Sequence, residues 1–128
     1  MDWLFEYLPD QGVLVITTAG PVTPDSLPEF LDAAVAESDR LGTRTLLVDH
    51  RDSPVELSLL DFHQLPRVEI KHGLTDKHRV AFVVATATMA MNGVRHYENR
   101  EFNNGLPRRT FLDREAALDW LLNGPSPR

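Results

Sequence analysis

The chain opens on a period of two. In "DWLFEYLP" Trp3, Phe5 and Tyr7 fall on one side, and Leu4, Glu6 and Leu8 on the other, which predicts a strand with two unlike faces. "PDQG" then sets Pro9, Asp10 and Gly12 in the order of a tight reversal, and "VLVITTAG" runs more uniformly apolar. The spacing predicts an antiparallel hairpin. A helical period takes over in "TPDSLPEFLDAAVAESDRLG", where Leu27, Phe30, Leu31, Ala34 and Leu41 keep one face apolar and Gly42 is a natural stop. Pro28 suits the first turn of a helix capped by Ser26, with Glu29 placed to complete a capping box.

"TRTLLVDH" lacks strict alternation, as a strand covered on both faces should. A second helix is expected with Ser58 as its principal cap, Asp61 three residues on, and Leu59, Phe62 and Leu65 at helical spacing. Pro66 should kink or split it after Leu65. "HRVAFVVATA" reads as a Val-rich strand, "MAMNGVRHYENREFNNG" as a weaker third helix stopping at Asn-Asn-Gly, and "RRTFLD" as a short strand. "REAALDWLLNG" closes the series as an amphipathic helix capped by Asp113, and residues 125–128 are expected to be a disordered tail. The order ββαβαβαβα predicts an α/β fold. Its sheet is mostly parallel with an antiparallel N-terminal edge strand, in a single domain over residues 1–124.

Composition narrows the chemistry. At 128 residues the chain can bury a core without staples. The absence of cysteine excludes disulfides, thiolate nucleophiles, zinc ribbons and cysteine-ligated clusters. The N-terminus carries an early acid rather than a basic signal-peptide region, and no apolar run approaches the ~20 residues that cross a bilayer. A cytoplasmic protein without membrane insertion is expected. A net charge of −6 argues against nucleic acid, and Arg108 and Arg109 in "GLPRRTF" read as a solvated turn entering a strand.

No P-loop, dinucleotide fingerprint, nucleophile elbow or HExxH occurs. His63, His72 and His78 match no compact ligand spacing, so scattered surface or capping histidines are expected, with no metal and no cofactor.

The stretch with most chemistry is "LLVDHRDSP". Asp49, His50 and Arg51 leave a buried strand at the end where α/β proteins commonly bind ligands, which makes them candidates for a ligand or partner site. Ser53-Pro54-Val55-Glu56 has the pattern of a helix entrance, so Ser53 reads first as a cap. A hydrolase or metal enzyme built on Asp49, His50 and Asp52 is a further reading. It meets the difficulty that neighbouring strand residues point to opposite faces. In the third helix, Met89, Met91, Val94, Tyr97 and Phe102 fall on no single stripe. With the kinked second helix, this one is expected to border an apolar groove, and Met89, Met91 and Tyr97 are its candidate contacts for a small ligand or another chain.

This arrangement, with "LLVDHRD" at a strand end and Phe111, Asp113, Ala116, Ala117, Trp120 and Leu121 in "RRTFLDREAALDWL", resembles the SpoIIAA-like fold of STAS domains. In particular it resembles the uncharacterised bacterial stand-alone SpoIIAA-like proteins. The resemblance implies a small regulatory or binding module acting through protein contacts, with a homodimer possible, or through an apolar ligand, as in the more distantly similar CRAL-TRIO lipid-binding proteins. It also implies, as an alternative, an anti-sigma-antagonist switch phosphorylated at Ser53. The family's Asp-Ser-[Ser/Thr]-Gly loop is kept here only as Asp52-Ser53, with Pro54 and Val55 replacing the second hydroxyl and the Gly.

Overall fold

Five strands form one mixed sheet whose spatial order follows the chain: β1 (Asp2–Leu8), β2 (Val13–Ala19), β3 (Thr45–Asp52), β4 (Arg79–Val83) and β5 (Arg108–Phe111). β1 pairs antiparallel with β2 and every later pairing is parallel, so the N-terminal strand is the antiparallel edge. The structure, a computed structural model, describes residues 1–124; the expected tail at 125–128 lies outside the described residues.

Both faces of the sheet are covered, and the pleat divides each strand between two cores. Leu14, Ile16, Leu46, Val48 and Val80 point to one side, where α1 (Leu27–Leu41) brings Phe30, Leu31 and Ala34. On that side also lie α2 (Leu59–Lys71) and α4 (Asn92–Glu98), joined through Phe62, Leu65, Val94 and Tyr97. Val13, Val15, Leu47, Ala81 and Val83 point to the other side and pack on Ala117 and Leu121 of α5 (Arg114–Asn123).

The ends of the helices follow local chemistry unevenly. Ser58 and Asp61 form a reciprocal capping box at α2, and Asp113 accepts from the Ala116 amide at α5. Ser26 precedes α1 but does not cap it through its side chain; its hydroxyl turns back to Thr23, accepting from the Thr23 amide at 2.9 Å. Pro66 does not split α2, which runs through it with Pro66 buried. The expected third helix divides in two: α3 (Thr86–Met89) and α4 are separated by Met91 in extended backbone, ψ 133°. Two short axes let Met89, Met91, Val94 and Tyr97 all reach one apolar cluster, which a single stripe does not allow. Asn104 and Gly105, at φ 59° and 74°, close the loop that follows α4 rather than the helix itself.

Gly93 sets how closely α4 approaches α2. A Cβ there would stand 2.0 Å from Cδ2 of Phe62. Gly93→Ala is therefore expected to lower stability by about 1–3 kcal/mol in urea unfolding. Phe62→Leu in the same chain should recover part of that loss.

Candidate functional site

The end of β3 is the most polar point of the sheet, and a register shift shapes it. Thr17 pairs with Asp49 and Ala19 with Asp52, so β3 holds one more residue than β2 across this step. The backbone then turns, with the Ser53 amide donating to the His50 carbonyl at 2.9 Å. Pro54, Val55 and Glu56 stay extended beside Val22, bridging it on both sides (2.9 and 2.8 Å). Ser53 is thus not a helix cap, because α2 begins six residues later at Leu59, capped by Ser58.

Asp49 and His50 face opposite cores, as the pleat requires. Asp49, 3% exposed, receives Arg51 Nη2 at 2.7 Å and Arg114 Nε at 3.0 Å; Arg114 also donates to Thr17 Oγ1 at 3.0 Å. Burial alone would raise its pKa, but the Arg51 and Arg114 hydrogen bonds outweigh it and hold the carboxyl at about 2. Its two cations account for it as a structural anchor between β3 and α5.

His50 sits on the α1/α2 side, 8% exposed. Its Nδ1 lies 2.6 Å from Thr18 Oγ1, which is in turn 2.7 Å from Ser53 Oγ. Thr18 and Ser53 are both buried, Ser53 to 1% exposure. The imidazole stacks near-parallel on Phe82 (6.0 Å, 11°) and tilts against Phe30 (5.8 Å). Burial in this apolar setting lowers its pKa to about 4, with Asp49 pulling weakly the other way. His50 is therefore neutral at pH 7.

Beyond His50 an apolar cavity opens between the sheet and helices α1, α2 and α4. Its volume is about 70 Å³, smaller than a drug-sized site and suited at most to a small apolar guest. Val48, Phe62, Leu65, Phe82, Val94 and Tyr97 carry much of its wall. Met89 and Met91 pack against the same apolar cluster without lining the cavity, and Arg51 stays on the Asp49 side. Of the candidate residues, His50 and Tyr97 meet in one place, and Asp49 and Arg51 meet in another. Asp52 is exposed and joins neither, so the structure offers no shared cleft for Asp49, His50 and Asp52.

Sequence reading missed or misplaced three contributors. Glu69 and Arg108 form a buried ion pair at 3.1 Å, and Tyr97 donates its hydroxyl to the other Glu69 oxygen. Arg108, 5% exposed, further donates to the carbonyls of His78 and Thr75, so the solvated-turn reading fails for it; strand alternation turns Arg108 in and Arg109 out. Burial pushes Glu69 above the usual carboxylate range against the pull of Arg108, and raises Tyr97 too. Thr18 is the third, and it was hidden in an apolar strand. The one available signal was Glu69, a carboxylate at helical spacing from Phe62 and Leu65.

Histidines are likewise less scattered than expected. His78 is 1% exposed, and His63 Nδ1 lies 3.1 Å from His96 Nε2. Among the described residues, no group of three or more His, Asp or Glu is placed to hold a metal ion, and no helix is long and apolar enough to cross a membrane.

No family model matches the chain, and no curated protein matches it. A solved structure does: an uncharacterised protein of the DUF3478 family with a SpoIIAA-like fold from Shewanella loihica PV-4. The two share 24% identity over 94% of this chain and 92% of that one, with a TM-score of 0.52. The fold is SpoIIAA-like. On this SpoIIAA-like sheet, Asp52 ends β3 and Ser53 follows it directly, with the Ser53 hydroxyl turned inward onto Thr18.

Two stability measurements test this geometry. Between pH 6.5 and about 4 the unfolded chain binds a proton at His50 that the folded chain refuses. The stabilisation is complete above pH 6.5 and is lost as pH falls through that window, amounting to about 3 kcal/mol. His78, shifted in the same direction, adds to the slope. Urea unfolding from pH 7 to 4.5 should show the decline, and His50→Asn should flatten it. Arg108→Met strands the Glu69 charge and is expected to cost about 3–5 kcal/mol. Adding Glu69→Met should restore part of it.

Proposed function

We propose that this chain is a non-enzymatic binding module whose cavity takes a small, largely apolar ligand. One observation carries the reading. Among the described residues, the core under α1, α2 and α4 keeps a space of about 70 Å³ that opens to solvent and is walled almost wholly by apolar groups. Protein interiors are close-packed, so a space of that size with a mouth is a feature to be explained. The partnered state of Glu69, Arg108 and Tyr97 supports it, because the charges near the cavity are already matched and leave its surface apolar.

The depth of Ser53 favours this reading over a phosphorylation switch. At 1% exposure its hydroxyl is out of reach of a kinase unless the turn at residues 50–53 opens. Action through protein contacts draws support from Leu59 and Leu60, 58% and 63% exposed at the start of α2, next to the cavity wall.

Calorimetric titration with benzene tests the proposal. The probe should bind saturably, and Ala34→Leu, which places extra methyl groups on the cavity wall, should weaken it by about tenfold or more while unfolding stability changes by about 1 kcal/mol or less. Absence of saturable binding, or an unchanged affinity in Ala34→Leu, contradicts the proposal.

A further inference from the structure

The cavity wall contains one imidazole whose second nitrogen has no partner among the described residues. His50 is in the wall, more than nine-tenths buried, and its only hydrogen-bond contact is through Nδ1. What the other nitrogen offers depends on the tautomer, which the surrounding network assigns. Thr18 Oγ1 meets three groups: the Asp49 carbonyl at 3.2 Å, His50 Nδ1 at 2.6 Å and Ser53 Oγ at 2.7 Å. A hydroxyl has one proton and two lone pairs, and a carbonyl only accepts. All three contacts are hydrogen bonds in one arrangement alone. Thr18 donates to the Asp49 carbonyl, and accepts from Ser53 and from the Nδ1–H of His50. The proton is then on Nδ1, and Nε2 is a bare acceptor.

We propose that the cavity selects a neutral, largely apolar molecule carrying one hydroxyl, which donates its hydrogen bond to Nε2 of His50. The inference rests on the cavity being a ligand site and goes further in naming the polar group. A carboxylate does not fit. It only accepts, as Nε2 does, and it would bring an uncompensated charge into an apolar space where the Arg108 charge is already taken by Glu69. An ether or ketone accepts as well and leaves Nε2 unmatched. A pure hydrocarbon fills the space but offers the acceptor no donor. The stacked Phe82 and tilted Phe30 rings fix the imidazole plane, so the acceptor is held in place before the ligand arrives.

Three rigid probes of the same small ring separate these cases: benzene, anisole and phenol, titrated into the full chain at pH 7.5. The expected result is that phenol binds about tenfold tighter than either of the others. In His50→Phe that preference should vanish while benzene still binds. Nitrogen-15 spectra of the unsubstituted protein provide the second readout. They should show His50 as the Nδ1–H tautomer, with the Nε2 resonance of an unprotonated nitrogen that moves upfield when phenol is added.

Equal binding of all three probes, a preference that survives in His50→Phe, or an Nε2–H tautomer in the free protein overturns the hydroxyl assignment and leaves the cavity reading standing. Failure of all three to bind overturns both.

Discussion

The pleat of β3 is the constraint on which the rest of the structure depends. With helices on both faces of the sheet, each buried residue of this strand, 46–50, is committed to one of two sides, and consecutive residues cannot share one. Leu46 and Val48 go to the α1 side and Leu47 to the α5 side. The same rule then separates Asp49 from His50. A carboxylate delivered to the α5 side must find cations, and it finds Arg51 and Arg114. An imidazole delivered to the α1 side finds hydroxyls and aromatic rings, and it stays neutral. One dipeptide thus produces an anchor on one face and a cavity wall on the other.

Burial of polar groups is costly unless each is matched, and the α1 side carries several. Glu69, Tyr97 and Arg108 answer one another and the carbonyls of Thr75 and His78. Thr18, Ser53 and the Nδ1 of His50 form a second set, in which the extra residue of β3 and the turn after it bring Ser53 to Thr18. The first network ties α2, α4 and β5 together and the second ties β2 to β3, so side-chain filling is not the sole support of the space between them. That is a physical reason the space can remain open in a domain of this size. The approach of Gly93 to Phe62 sets its width from the helix side.

Much of the fold was legible from the chain. Period two in β1, unbroken apolar runs in β2 to β4, and the Ser58 and Asp113 caps placed the elements, and the fall of Asp49 and His50 on opposite faces followed from the pleat. What was not legible depended on partners distant in sequence. Ser53 has the local signature of a cap, yet the bulge hands it to Thr18, 35 residues away. Arg108 looks like a surface residue until Glu69, 39 residues away, is seen opposite it. The third helix broke because its apolar residues serve one cluster from two directions, which a single helical axis cannot do. The cavity itself has no sequence signature, since Val48, Phe62 and Val94 read as ordinary core and only their spacing in three dimensions leaves room.

The proposed ligand space is on the α1 side of the sheet, away from the α5 core. Methyl carbon–proton spectra of Val- and Leu-labelled protein titrated with toluene test it most directly. The account predicts saturable shifts at Val48, Leu65, Val80 and Val94, with Val13, Val15, Leu47 and Val83 unmoved. Shifts that never saturate, that appear equally on both faces, or that centre on exposed Leu59 and Leu60 would contradict it.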